Sequence, residues 1–329
     1  MYRQCIIGAG TSGIILVLLL IQTRHIPLDS IVIIDPHFDG GALTRSWAHV
    51  ISNVPWSVLY KPLRKYLPSY EFPEWANSLP MDKPIHVCKI STLLMDLIKP
   101  HMKSIKRIKG YVSQASWANN TWSVTVGSTT IESQKVHFTF GSSPKSLDLP
   151  IPSIPLEIAL DSRRLEDYVQ PNQKVLVFGT AHSGTLIIRN LANLGAQVIA
   201  IYSGTTPFKW ARDGDPKGVK LEAADIADDI VHLKYPSVQL QPFSEFTQTE
   251  ADWVVYAIGF ESDNSLVVLV DGQQTAYSKY NGWTGKLTDI PNAWGFGIAY
   301  PSLAPDAVNW DVGLPFFIEH INRQIASIL

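Results

Sequence analysis

Two short runs of apolar residues each end in a glycine-rich turn and lead into a longer, largely apolar stretch. The first is Cys5-Ile6-Ile7 followed by Gly8-Ala9-Gly10-Thr11-Ser12-Gly13. The second is Val175-Leu176-Val177-Phe178 followed by Gly179-Thr180-Ala181-His182-Ser183-Gly184. A run of this kind reads as a buried strand, and the stretch beyond the glycines reads as a helix. The pattern predicts strand 3–8, helix 13–24 and strand 31–35 in the first unit. In the second it predicts strand 174–178, helix 183–194 closed by Gly195, and strand 197–202.

The rest of the chain is punctuated differently. Gly40-Gly41-Ala42-Leu43 predicts a tight turn, and the aromatic and proline-rich stretch 47–70 an irregular, well-packed segment. Residues 85–89 read as a short strand and 91–99 as a helix ended by Pro100. Segments 111–117, 121–126 and 131–140 alternate and are separated by Asn119-Asn120 and Gly127-Ser128, predicting a small antiparallel meander. Pro144, Pro150, Pro152 and Pro155 fit neither helix nor ladder and mark a linker. Beyond it lie a helix at 219–230, a strand at 252–258, a strand-like segment at 294–298 and a last helix from Gly313. The run Ile14–Ile21 resembles the apolar part of a secretory leader, but it is too short to span a bilayer. The flanking glycines and the strand after it predict instead a helix buried against a sheet.

A glycine-rich turn between a buried strand and a helix brings bare backbone N–H groups and the positive end of the helix dipole to a pyrophosphate. Two such turns imply two dinucleotides. Asp35 closes Ile31–Ile34 at the distance from the first turn where a carboxylate can accept hydrogen bonds from ribose hydroxyls. The strand after the second turn ends in Tyr202-Ser203-Gly204 with no acid, which favours NADPH over NADH. Ser203, Lys209 and Arg212 are candidates for its 2′-phosphate, with ordinary solvated charge as the competing reading of the two cations.

Composition sets the limits. With 329 residues, 46% of them hydrophobic and 17% charged, the chain can build two cores. A formal charge of −2 without a long basic run argues against nucleic acid or an anionic membrane as the main partner. The 2 cysteines, Cys5 and Cys88, form no C-x-x-C, and the 9 histidines show no metal-binding spacing, so no metal is expected. No G-x-S-x-G elbow occurs. The cysteine usage fits a reducing cytoplasm.

The layout resembles the two-dinucleotide-domain flavoproteins, the thioredoxin reductase-like and flavin-containing monooxygenase-like groups. Gly259-Phe260 matches that family's A-T-G-[FY] segment, and Phe138-Thr139-Phe140-Gly141-Ser142-Ser143-Pro144 looks like its outbound crossover. Leu160-Asp161-Ser162-Arg163-Arg164-Leu165 and the G-x-x-x-S-G form of the second turn are similar to the monooxygenase group. Three positions depart from it: Asp161 stands for a His, Leu165 for an aromatic, and Ala181 for the middle glycine. The resemblance implies an α/β fold of two Rossmann-like domains, the NAD(P)H domain inserted in the FAD domain: 1–145 and 251–329 for FAD, 146–250 for NAD(P)H.

By the same resemblance FAD meets Gly8, Gly10, Thr11, Ser12, Gly13, Asp35, Pro36, Gly41, Ala42, Leu43, Val112, Gly141, Gly259, Val312 and Gly313. Trp47 and Asn53 approach the flavin or nicotinamide ring and are the weak catalytic candidates, plain core being the alternative for Trp47. NADPH meets Gly179, Thr180, Ala181, His182, Ser183 and Gly184. The start of the last helix would stabilise negative charge on reduced flavin, with Asp311 read as the helix N-cap. The implied activity is hydride transfer from NADPH to FAD followed by O2 activation. Reduction of a ferredoxin-like protein or quinone is the second reading, and a non-catalytic FAD-binding redox sensor or scaffold the third. Disulfide reduction is disfavoured because paired thiols are lacking. Expected partners are a small-molecule substrate or an electron acceptor, with room for a homodimer.

Overall fold

The computed structural model describes residues 1–211, 218–247, 250–262 and 265–329. The chain folds into two compact units, Met1–Ser143 with Glu261–Leu329, and Pro144–Phe260.

The first unit is built on a sheet ordered Gln273–Gln274, Val267–Val270, Val112–Ala118, Thr121–Val126, Thr129–Phe138, Tyr2–Ile7, Ile31–Asp35, Lys106–Lys109, with Ala293–Gly295 also paired to Thr129–Phe138. Tyr2–Ile7 lies between two parallel neighbours, with Ile6 opposite Ile33 on one side and His137 on the other. The meander forms as expected, yet it is not separate. Its third strand runs parallel to Tyr2–Ile7 and so joins the meander to the nucleotide-binding half of the same sheet.

Helix Thr11–Thr23 buries every residue from Ser12 to Leu20. One side of it faces the sheet. The other packs with the helix Cys88–Ile98 and the last helix Leu314–Ile328, in a core that includes Leu16, Leu19, Leu93, Leu97, Ile318 and Ile321. Burial on all sides explains why the stretch is apolar without helical alternation.

The stretch 47–70 is more regular than expected. It holds a strand, Ile51–Pro55, paired antiparallel with Pro84–His86, and a helix, Trp56–Tyr66. Trp56, Leu59, Tyr60 and Leu63 are its buried residues, a spacing of three and four that marks one helical face. Pro62 is half-buried beside this face, and the helix continues through it. Tertiary burial outweighs the local preference against proline.

The second unit carries a four-stranded parallel sheet, Val238–Pro242, Gln197–Tyr202, Lys174–Phe178, Trp253–Tyr256. Because Trp253–Tyr256 pairs with Lys174–Phe178, the chain leaves this unit after Phe260, later than the expected boundary at 250. Asp161 is the N-cap of the short helix Ser162–Leu165 and accepts the amides of Arg163 at 3.1 Å and Arg164 at 3.4 Å, while Leu165 is fully buried. Both departures at this stretch therefore have local structural roles.

Candidate dinucleotide sites

The two glycine turns are built alike. Gly8 donates to Ile34 O at 2.8 Å and Gly179 to Ile201 O at 2.8 Å. Thr139 donates to Ile7 O at 2.9 Å and Ala257 to Phe178 O at 2.7 Å. At the helix starts, Ile14 donates to Gly10 O at 3.0 Å and Thr185 to Ala181 O at 2.9 Å. Each turn thus sits at the carboxyl end of a central parallel strand, held by the strand on either side.

Bare backbone is required at the outer positions of both turns. Gly8 has φ +106°, and a Cβ there would lie 2.6 Å from Thr139 O. Gly179 has φ +95°, and a Cβ would strike Ala257 O. A Cβ on Gly13 would collide with Gly8 O, and one on Gly184 with Gly179 O. These contacts bring each helix hard against its strand. No side chain caps either helix: the N-cap residues are Gly10 and Ala181, with backbone alone. The first-turn amides of both helices are therefore presented to an anion rather than consumed by a cap.

The first turn is covered by Gly40 and Gly41. Gly10 forms a parallel bridge with Gly40, and a Cβ on Gly41 would lie 2.8 Å from Gly10 Cα. Gly41 is the N-cap of a short helix, Ala42–Arg45, so the expected tight turn continues into one helical turn carrying Ala42 and Leu43. Two residues outside the expected set complete the cradle. Thr139 Oγ1 donates to Ile7 O at 2.9 Å and Gly8 O at 2.8 Å, and Gly297, at φ +97°, would place a Cβ 2.5 Å from Ser12 Oγ. The signal for them lies in two segments, Phe138–Pro144, which resembles the family's outbound crossover, and Trp294–Ile298, which reads only as strand-like.

Asp35 is buried, and its carboxylate is engaged. Oδ2 accepts Ala9 N–H at 2.7 Å, and Oδ1 accepts His37 N–H and Phe38 N–H, both at 2.8 Å. Three of the roughly four acceptor positions of a carboxylate are thus filled by backbone. Pro36 begins the turn these bonds close. At the equivalent place in the second unit stands Tyr202, and there Thr180 Oγ1 donates to Pro207 O instead. Thr185 Oγ1 donates to Thr180 O and Ala181 O, both at 3.0 Å, which turns those carbonyls away from the open end of the helix.

No protein-family model matches the chain. A curated relative, the monooxygenase AgnR1 of Paecilomyces divaricatus, is 25% identical across 97% of this chain and 95% of its own length. Among solved structures, the bacillithiol disulfide reductase YpdA of Staphylococcus aureus matches with a TM-score of 0.68 at 15% identity, covering 99% of this chain and 98% of that one. The ornithine hydroxylase PvdA of Pseudomonas aeruginosa matches with a TM-score of 0.62 at 12% identity, covering 99% and 98%. The fold is that of the two-dinucleotide-domain flavoproteins. Its relatives are oxidoreductases, reductases and oxygenases alike, and the expectation of an α/β oxidoreductase of this kind accords with them.

Within this flavoprotein fold the remaining candidates are placed as follows. Trp47 is half-buried just after the helix Ala42–Arg45, and Asn53 is exposed on Ile51–Pro55. Val112 is half-buried at the start of its strand; the neighbouring Gly110 N–H donates to Asp35 O at 3.2 Å, and Tyr111 is largely exposed against the edge of His37. Gly141 and Gly259 adopt φ +86° and +94° beside open space. Gly313, at φ +119°, is the N-cap of Leu314–Ile328, so Asp311 is not; it lies on the short strand Trp310–Asp311, and Val312 is exposed. Ser203 and Lys209 are exposed beyond Gln197–Tyr202, and Arg212 lies outside the described residues.

His182, at the start of its helix, has its pKa lowered by burial and by the Lys220 charge, with Glu222 opposing. It is held toward the neutral form and Nδ1 is buried. Cys5 is fully buried, which pushes its thiol far above the usual range, and Cys88 is half-buried and free. Cys5 is therefore no poised thiolate. Among the described residues no cluster of side chains could hold a metal ion, and no helix is long and apolar enough to cross a membrane.

Proposed function

We propose that the chain is an FAD- and NADPH-dependent oxidoreductase of the monooxygenase type, with FAD on the first cradle and NADPH on the second. The observation that carries this is the pair of uncapped helix N-termini, each paved with glycine at the carboxyl end of a parallel strand. The first cradle fits a pyrophosphate well. The Thr11, Ser12 and Gly13 amides offer the donors, Gly10 has no side chain in the way, and Gly40-Gly41 lies over it. Bound there, FAD supplies hydride acceptance and the reaction with O2.

This chain's own residues bind and orient. Gly8 and Gly13 let the helix end approach, and Thr139 and Gly297 hold the turn in shape. Asp35 locks Ala9 and has one acceptor position left for the adenosine ribose. Val312 and Gly313 present the start of the last helix, whose dipole favours negative charge nearby by about 0.3–1 kcal/mol when exposed. In the second cradle Thr180 and Thr185 orient the backbone, and the absence of an acid at Tyr202 and Ser203 suits a 2′-phosphate. The monooxygenase relative across nearly the whole chain favours O2 as the final acceptor over a protein or quinone. Cys5 and Cys88 give no support to a dithiol mechanism.

The test is spectroscopic. Purified protein should carry flavin absorbance that bleaches under anaerobic NADPH and returns on admitting O2. With a coupled substrate, O2 and NADPH fall together without equivalent peroxide. A colourless protein that stays colourless after incubation with FAD overturns the reading.

A further inference from the structure

The two cradles can be compared directly, because they share a backbone course; their sequences differ at Ala9/Thr180, Gly10/Ala181 and Thr11/His182, and the middle pair stands at the helix N-cap. Gly10 has φ −77° and ψ −170°, and Ala181 has φ −70° and ψ −170°. Both are N-caps without a side-chain cap, and both accept the amide four residues on. The conformation is one that any residue adopts, so it does not demand glycine at position 10. Packing does not demand it either. A Cβ on Gly10 would meet only Gly41 Cα, at 3.9 Å, an ordinary contact. What the missing side chain leaves open is the approach of a ligand to the helix end. Ala181 places a methyl group at the equivalent point.

The surroundings differ in the same sense. Gly10 is half-covered, beneath Gly40 and Gly41, whereas Ala181 is exposed.

We propose that the methyl group of Ala181 holds the dinucleotide pyrophosphate off the second helix end, so that the second cradle exchanges its ligand while the first retains one. The inference rests on the assignment of FAD and NADPH given above and deepens it. Ala181 is a positioning residue that sets residence time. It makes the nicotinamide dinucleotide a substrate that leaves after each turnover, and the bare Gly10 makes the flavin a resident group. Charge-assisted bonds from backbone N–H to phosphate weaken as the anion is pushed outward, so one methyl group should alter affinity about tenfold.

The experiment exchanges the two residues separately. In flavin-loaded protein, NADP+ affinity is measured by calorimetry for wild type and Ala181→Gly. In flavin-free protein, FAD affinity and melting temperature are measured for wild type and Gly10→Ala. Expected are about tenfold tighter NADP+ with slower dissociation in Ala181→Gly, and about tenfold weaker FAD in Gly10→Ala with no loss of melting temperature in the flavin-free form. Appearance of NADP+ binding only in Ala181→Gly also supports the proposal. Unchanged or weaker NADP+ binding in Ala181→Gly overturns it and leaves the function standing. Failure of both proteins to bind NADP+ while FAD stays bound overturns the NADPH assignment, and this proposal with it.

Discussion

The carboxylate of Asp35 accepts the amide of Ala9 at 2.7 Å, tying the end of one strand to the turn that follows its neighbour. With the amides of His37 and Phe38 also on this carboxylate, Asp35 shapes the cradle before any ligand arrives. Asp35→Ala leaves three amides without their acceptor in a buried place. It should destabilise the flavin-free protein by about 3 kcal/mol, measured by urea unfolding. A residue that only held ribose would change FAD affinity and leave the flavin-free protein unaltered.

Gly13 and Gly184 meet the carbonyls of Gly8 and Gly179 at the tightest points of the two turns. Backbone cannot yield as a side chain can, so alanine at either position must push helix from strand. Gly184→Ala should abolish NADPH binding while flavin absorbance per protein stays near the wild-type level. Gly13→Ala should yield protein without flavin. Gel filtration followed by absorbance measurement distinguishes the two.

Gly297 reaches the first cradle from a distant part of the chain, its φ of +97° and its contact with Ser12 both excluding a Cβ. Gly297→Ala should weaken FAD binding by displacing Ser12 and cost about 1 kcal/mol in backbone strain. Equilibrium dialysis of FAD against the variant reads the first effect and thermal unfolding the second.

Two buried histidines make the first unit acid-sensitive. His137 is fully buried, its Nε2 against Gln4 Oε1 at 2.6 Å, and burial with the nearby Lys135 charge lowers its pKa to about 3. His320 packs on the edge of Phe296, and burial and Arg323 lower its pKa to about 4 against a hydrogen bond to the Trp283 backbone. Both rings are neutral in the fold and take a proton in the unfolded chain below about pH 6.5. Their contribution is complete above that pH and is lost as pH falls toward the folded values, by up to about 1.4 kcal/mol per pH unit for each ring. His320→Gln should make urea stability fall less steeply between neutrality and about pH 5. An unchanged slope would refute the assignment.

The strands and helices flanking the two turns were legible because their signal is local. Glycines at fixed spacing between apolar runs admit few other structures, and Ile31–Asp35, Lys174–Phe178 and Gln197–Tyr202 form as expected. The helix Trp56–Tyr66 was hidden by Pro62, a local contraindication that the buried face of Trp56, Leu59, Tyr60 and Leu63 overrides. The engagement of Asp35 was not legible, since a carboxylate at that position reads alike whether it holds ribose or backbone. Thr139 and Gly297 escaped for a different reason. They act on residues far away in the chain, and the segments that hold them, a crossover around Thr139 and a strand end around Gly297, do not say which residues they will meet.

The strand Thr129–Phe138 lies between Tyr2–Ile7 and Ala293–Gly295 in one sheet, and a complete separate unit is threaded between Thr129–Phe138 and the strands Val267–Val270, Gln273–Gln274 and Ala293–Gly295 that join the same sheet later. During synthesis the inserted unit therefore has all its strands once Tyr256 has emerged from the ribosome. The unit that began first still waits for Ala293–Gly295 and for the helix that covers Leu16 and Leu19. Until then the apolar run Ile14–Ile21 of the helix Thr11–Thr23 has a bare flank, so the nascent chain exposes apolar surface over that interval.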